Sequence, residues 1–533
     1  MPIPAAMLAL SVAVGASRQE PTEWWRSAVF YEIFVRSFAD STEGPLAGDG
    51  IGDLRGIIER LDYLNDGDPE TDSDLGITGI WLMPICESPS YHGYDVTDYM
   101  NVDPEYGTQD DFRALVAACH ERGVRVIVDD VMNHCSSEHP WFQESLDRNS
   151  SRHDWFVWRD EPRTWSHGPS HPVWHDRYRQ QTGQYYYGYF WHGMPDLNLK
   201  NPAVTRAMLE QSRFWVTTMG ADGLRLDAVH YLIENESQFE HTPETFEWLQ
   251  SFGRYIHEVS PGAFIVGEAW GEPDVIARYV HHGLDSAFAF PLCFAIEKGI
   301  NAGDASGIAQ ALESAWNGMH GAQSTIIGNH DMDRIINRLG ADVDKARCAA
   351  VILLTMPGVP FIYYGDEIGM EGVKPDPDIR TPMQWTDDPK TAGFTSGRPW
   401  RAVNPSVSRV NVEQQSRSEE SLLSTYRKLI AMRRSTPALA VGDLALLDTG
   451  DARVLAFVRS KGMERVLVIV NVSDEQIRGG WSLDAGRVHV GRDGELIEMM
   501  HGAAAQWPSR ANDQSWMPLE VLDAYTGYAI RLH

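Results

Sequence analysis

Asp129, Asp227, Glu268 and the run Asn329-His330-Asp331 each follow directly on a short apolar stretch. A single carboxylate in such a place is unremarkable, because strand ends often carry a polar cap. Several of them at the same end of one sheet would crowd together. Crowding raises carboxyl pKa values and must be offset by a cation or turned to use. One chemistry served by such a cluster is glycoside hydrolysis with retention, which needs two carboxyls ~5–5.5 Å apart, one to attack and one to protonate the leaving oxygen. Arg225 stands two residues before Asp227, so in a strand both side chains share a face. A guanidinium there should keep Asp227 ionised and nucleophilic, while Glu268 among other carboxylates should retain its proton. Taken alone, Arg225 and Asp227 would read as a strand-end salt bridge.

The elements that must position these residues recur along the chain. Apolar strand candidates lie at Ala28 to Phe34, Gly79 to Met83, Val124 to Val128, Gly223 to Leu226, Phe264 to Val266, Ser286 to Phe290, Thr325 to Ile327 and Val359 to Tyr363. Near-continuous apolar runs suit parallel strands covered on both faces. Amphipathic helices fall between them. One starts at Thr108 with Asp111 three positions on, a capping-box pattern, and stops at Gly123. Another starts Thr242-Pro243, an N-cap followed by proline at the first helical position. Eight strand–helix units imply an α/β protein built on a (β/α)8 TIM barrel, with catalytic groups at the C-terminal strand ends. The reading divides residues 24–134 and 201–440 between two parts of that barrel. Residues 135–200, rich in Trp, His, Tyr, Gly and Pro, are expected to form an irregular inserted subdomain after strand 3. From residue 441 to 533 the pattern turns to alternating strands such as Val454 to Val458 and Val466 to Val470, which implies a C-terminal antiparallel β-sandwich domain.

Composition narrows the partners. The balance of 45 Lys+Arg against 75 Asp+Glu gives a net charge of -30, a field that repels nucleic acid and anionic membrane. The 18 Trp and 19 Tyr offer flat faces that can stack on sugar rings, or simply fill a large core. Five scattered cysteines form no CxxC pair, which speaks against a zinc cluster and for buried thiols. Ile3 to Ala16 is a short apolar run ending in Val14-Gly15-Ala16, read as a signal peptide over residues 1–17 and hence a secreted or periplasmic protein; without a signal there, the location would be cytoplasmic. No apolar stretch in the sequence is long enough to span a bilayer.

The segments Asp129-Asp130-Val131-Met132-Asn133-His134, Gly223-Leu224-Arg225-Leu226-Asp227, Gly267-Glu268-Ala269-Trp270 and Asn329-His330-Asp331 resemble, in order, the four signature regions of the α-amylase family, glycoside hydrolase family thirteen. Gly358 to Glu367 is similar to that family's eighth-strand motif, and the likeness runs from Trp25 onward. The resemblance implies Asp227 as nucleophile, Glu268 as general acid/base and Asp331 as the third carboxylate, which holds and distorts the sugar. It further implies contacts to the bound ring from Arg225, His134 and His330, and a stacking platform at Tyr94. Met194 to Asn198 and Arg380 to Trp385 resemble a group between oligo-1,6-glucosidases and neopullulanases. Exo-acting members usually carry Asp three residues before the stacking Tyr, where it grips the chain end, whereas this sequence has Tyr91. After the nucleophile, many α-amylases have Lys-His where His230-Tyr231 stands here.

The same resemblance implies a structural calcium ion. Asn133 and Asp196 match ligands between barrel and insertion, and Asp49, Ile51 (by its carbonyl) and Asp53 match an Asp-rich loop whose start is interrupted by Glu43 to Gly48. Calcium would suit such oxygen donors; an acidic surface turn is the plainer alternative. The implied activity is endo-acting hydrolysis of α-1,4 bonds in an α-glucan or malto-oligosaccharide. An oligosaccharide-specific α-glucosidase, a neopullulanase-like hydrolase and a transglucosylase stand as alternatives within the family. A non-catalytic transporter-associated relative is a distant one, since the catalytic positions are intact and no anchor is seen.

Overall fold

The computed structural model describes residues 23–163, 172–235, 238–484, 494–500 and 515–532. The candidate signal peptide lies outside them. Eight parallel strands close a barrel: β1 (Phe30–Ile33), β2 (Gly79–Leu82), β3 (Arg125–Asp130), β4 (Gly223–Leu226), β5 (Phe264–Gly267), β6 (Ser286–Phe288), β7 (Gln323–Thr325) and β8 (Val359–Tyr363). Each strand lies beside its neighbours in chain order, and β8 closes on β1. The helix at Gln109–Glu121 starts with the expected capping box at Thr108, and that at Pro243–Val259 with Thr242 as N-cap and Pro243 in its first turn.

One strand was misplaced by sequence reasoning. The apolar pair Ile326-Ile327 suggested Thr325 to Ile327, but β7 is the polar segment Gln323–Thr325. Two of its three polar side chains are satisfied inside the fold. Ser324 and Ser286 share a hydroxyl bond of 2.6 Å, and Gln323 Nε2 donates to the Pro357 carbonyl. A strand whose polar groups pair with partners inside the fold leaves no apolar run to read.

After β3 comes the insertion. It holds a three-stranded antiparallel sheet of Trp158–Arg159, Tyr185–Tyr187 and Trp174–His175, so it is more regular than its composition suggested. Beyond the barrel, a five-stranded antiparallel sheet is ordered Asp443–Leu447, Val454–Lys461, Glu464–Asn471, Gly527–Leu532, Gly494–Met500, with two short two-stranded antiparallel pairs besides it. Alternation splits its side chains. Leu455, Phe457, Val466 and Val468 join the barrel's core, while Val454, Ala456, Leu467 and Ile469 pack with Trp481, Leu519 and Leu522 in a second one. Buried Arg459 crosses the junction, donating to the carbonyls of Thr355 at 2.8 Å and Gly442 at 2.9 Å.

Register sets the site. Asp129 pairs with Arg225 between β3 and β4, and Gly267 pairs with Leu226 between β4 and β5. Asp227 and Glu268, the next residue on each strand, therefore emerge at the same height. Gly223 permits this close approach, because a Cβ there would lie 2.2 Å from the Phe264 carbonyl oxygen on β5. Gly223→Ala should cost ~1–3 kcal/mol by overpacking. A denaturant midpoint equal to the parent's would show that the β4–β5 seam has slack.

Candidate active site

A cavity of about 730 Å³ opens at the C-terminal ends of the strands, within the ~300–1,000 Å³ range of ligand sites. Asp227, Glu268 and Asp331 line it together with Tyr94 and His134. Arg225 and His330 lie just beneath, each 1% exposed. The seven residues singled out for catalysis and sugar contact are thus brought to one place.

Arg225 is the hub. Its Nη1 donates to Asp227 Oδ1 at 2.7 Å and to Asp129 Oδ1 at 2.8 Å, and its Nη2 donates to Glu268 Oε2 at 2.6 Å. Two carboxylates gripped by the two terminal nitrogens of one guanidinium are close neighbours, as a retaining pair requires. The guanidinium also sits 4.9 Å from the centroid of the Trp81 ring, an apolar cover that strengthens every charge contact beneath it.

The two carboxyls sit in different surroundings. Burial pushes the Asp227 carboxyl well above its ordinary range, and Glu268 and Asp129 add to this against the pull of Arg225. Glu268 is buried too, which alone would raise it, yet Arg225 and the Trp270 indole hold it below its ordinary value despite repulsion from Asp331. The reason is the count of donors. Glu268 accepts from Arg225, from Trp270 Nε1 at 2.9 Å and from the Ala228 amide at 3.3 Å. Asp227 accepts only from Arg225 among the described residues. Burial thus works against the charge on Asp227, while the extra donors around Glu268 work in favour of its charge.

Asp331 accepts from Arg380 Nη2 at 2.8 Å, and its other oxygen lies 3.4 Å from His330 Nε2. Burial would raise its pKa, but His330 and Arg380 hold it below the ordinary value. His134 Nε2–H donates to the Tyr94 carbonyl at 3.0 Å, and burial pushes its pKa down to about 3, which favours a neutral ring. Tyr94 lies parallel to His330, with ring centroids 5.6 Å apart. The cavity wall opposite is aromatic. Tyr189 stacks on Tyr231 at 3.6 Å, and Phe190 and Trp191 from the insertion are 39% and 45% exposed.

Sequence reasoning assigned no role to two residues that matter here. Asp129 is the buried anchor of Arg225, also taking bonds from Trp81 Nε1 at 3.2 Å and the Tyr94 hydroxyl at 3.1 Å. Arg380 fixes the Asp331 segment, its Nε donating to the His330 carbonyl at 2.9 Å. The signal for Asp129 was its partner across the strand, and for Arg380 its place in the Arg380 to Trp385 motif. Tyr91 was expected to face a passing chain. Instead it stacks on Trp400 at 5.5 Å, beside the cavity and outside its lining.

The calcium candidates divide. Asn133 Nδ2 donates to Asp196 Oδ2 at 3.0 Å, so the amide turns a donor toward the carboxylate, while the side-chain Oδ1 of Asn133 is buried without a partner among the described residues. Burial further lifts Asp196 to about 8. In the loop, Asp40 reaches across the insertion to accept from the amides of Gly48 and Gly50, both at 2.9 Å. Burial and then mutual repulsion raise Asp49 and Asp53, while nearby Arg55 is paired with Asp111 at 2.6 Å. That donor chemistry suits a hard cation. Among the described residues, however, no three His, Cys, Asp or Glu side chains converge as ligands.

Comparison with known proteins places this geometry. The family model described as the α-amylase catalytic domain matches residues 32–442. Alpha-amylase 3 of Dictyoglomus thermophilum is 38% identical over 84% of this chain and 85% of its own length. Oligo-1,6-glucosidase of Bacillus cereus is 32% identical over 85% of this chain and 92% of its own. The trehalose synthase/amylase TreS of Mycobacterium tuberculosis is 37% identical over 83% and 80%. The crystal structure of an α-amylase from H. orenii superposes with a TM-score of 0.83 at 38% identity, covering 95% of this chain and 99% of that one.

Proposed function

The chain belongs to the α-amylase family of glycoside hydrolases, and on that footing we propose that it cleaves α-1,4-glucosidic bonds within α-glucan chains, with retention of configuration. The observation that carries the reading is the gathering of Asp227, Glu268 and Asp331 around one cavity, with the first two on a single guanidinium. Asp227 attacks the anomeric carbon while Glu268 protonates the leaving oxygen. Glu268 then removes a proton from water, which displaces Asp227 from the glycosyl intermediate.

The first step needs Asp227 ionised and Glu268 protonated, and substrate favours both. Positive charge developing at the anomeric carbon stabilises ionised Asp227, and the scissile oxygen gives a proton on Glu268 an acceptor. Because Arg225 already touches both carboxylates, it compensates whichever is charged without moving. Asp331, held low by Arg380 and His330, stays ionised beside the ring.

Glu268→Gln should reduce turnover of starch by ~10²–10⁴-fold but leave an activated aryl glycoside much less affected, since that leaving group needs no acid. Asp227→Asn should abolish both. Equal losses on the two substrates in Glu268→Gln would remove the acid assignment.

Endo action is favoured by the absence of a carboxylate at position 91 and by the aromatic wall of Phe190 and Trp191, whose exposure suits a chain running past the site. Starch viscosity should then fall well before reducing sugar accumulates. Viscosity and reducing sugar changing in step, with glucose as sole product, would favour the α-glucosidase reading instead. Secretion, suggested by the N-terminal segment, accords with a polymeric substrate.

For calcium, the loop of Asp40, Asp49 and Asp53 is the better candidate, in a structural role. Its ligands would lose their mutual repulsion, so binding should stabilise the fold by ~2.7 kcal/mol at a hundredfold excess over Kd. Metal-free protein should melt lower and recover on adding calcium, and Asp49→Asn should blunt the response. An identical melting curve with and without calcium would exclude the site.

A further inference from the structure

His330 is 1% exposed and beneath the cavity floor, and the bonds around it can be counted. Nε2 faces the Tyr94 hydroxyl at 2.8 Å and Asp331 Oδ2 at 3.4 Å, while Tyr94 itself lies 3.1 Å from Asp129 Oδ2 as a donor to that carboxylate. With Tyr94 donating to Asp129, Nε2 is an N–H pointed at acceptors. On the other side of the ring, Nδ1 lies 2.5 Å from Glu32 Oε1. Glu32 sits on β1, is 0% exposed, and its second oxygen is buried without a partner. Against a carboxylate oxygen at that distance the ring nitrogen is the donor, so Nδ1 carries an N–H as well. Both ring nitrogens are donors only in the imidazolium.

We propose that Glu32 is a positioning residue for catalysis: buried behind His330, it keeps that ring doubly protonated and fixed, so that Nε2–H is presented to the sugar as a charged donor. When substrate enters, a ring hydroxyl can take the Nε2–H from Tyr94. A charged donor gives a stronger bond than a neutral one and tightens as the sugar becomes oxocarbenium-like. Glu32 touches neither the cavity nor the substrate, and acts only through the histidine.

The surroundings agree. Burial would discharge His330, and Arg380 also opposes its charge, but Asp331 and Glu32 outweigh them and raise its pKa. Asp129, whose carboxyl feels the His330 charge, faces it from β3. Behind Glu32 stand Tyr363 and Asp366, both raised in part by its charge. The Trp81 edge, 5.6 Å away, excludes water from the remaining side. His134, by contrast, has no carboxylate behind it and is neutral. The two histidines that the sequence presented as equivalent sugar contacts thus differ in charge.

The inference rests on His330 facing the sugar, so its test separates the two claims. In protein labelled with 15N-histidine, with His330→Gln used to assign the signal, His330 should show an imidazolium spectrum at pH 7 and above. Glu32→Gln, which keeps the shape and removes the charge, should convert it to a neutral ring at pH 7. A His whose folded pKa is raised stays charged below that pKa and loses its contribution as pH rises through it. The alkaline limb of kcat/KM should therefore move to lower pH by ~1–3 units in Glu32→Gln. Activity should recover toward acid pH, and Glu32→Asp should restore the limb in part. A neutral His330 at pH 7 in the parent protein would overturn the proposal. So would a Glu32→Gln profile of unchanged shape with uniformly lower activity, which is the mark of a structural role. If Glu32→Gln discharges the ring while the pH profile stays put, the pairing stands and His330 is not the sugar contact.

Discussion

The site depends on one buried cation. Burying a guanidinium is costly, and removing one partner of such a pair typically costs ~3–5 kcal/mol, so Arg225 is tolerable only because carboxylates surround it. Here there are three, Asp129, Asp227 and Glu268, on one guanidinium. Burial raises the pKa of both Asp129 and Asp227 against its pull, and carboxyls so perturbed are suited to acid/base work. The strand register that pairs Asp129 with Arg225 and Leu226 with Gly267 is what makes this crowding unavoidable.

Much of this was legible in the sequence, for identifiable reasons. Apolar runs mark buried parallel strands, and the polar residue that ends each run marks the active face. Two-residue periodicity put Arg225 and Asp227 on one side, as the 2.7 Å bond between them shows. The capping signals at Thr108 and Thr242 are local and were read correctly. What failed was non-local. The polar strand Gln323–Thr325 is stabilised by partners distant in the chain. The donors that Trp270 and Ala228 offer Glu268 are announced by no spacing. Tyr91 found Trp400, more than three hundred residues away.

The cavity has a rigid floor and a separate wall. Its floor is built from strand ends locked by Arg225, Glu32, Arg380 and Asp129. The wall comes from the insertion and the segment after β4, where Tyr189, Phe190, Trp191 and Tyr231 meet. Relatives named as an α-amylase, an oligo-1,6-glucosidase and a trehalose synthase are all 32–38% identical to this chain over more than four fifths of its length. Shared bond-breaking chemistry with divergent products is the expected outcome when a common scaffold carries variable loops.

The C-terminal sheet is covered on both faces, by the barrel on one and by the segments around Ile477, Trp481 and Leu522 on the other. Arg459 bonds the carbonyl of Thr355, the last residue of the barrel helix Val343–Thr355. Such a sheet is not cargo on a tether. Cutting the chain near Gly442 would strip Leu455, Phe457 and Val468 from the barrel's apolar surface and leave helix-end carbonyls without their donor. The two parts must therefore melt as one cooperative unit, and neither can be exchanged between relatives without its partner surface. For protein engineering, the usable unit is the whole chain from the first barrel strand to the last sheet strand, and domain shuffling at that seam would trade away stability rather than add function.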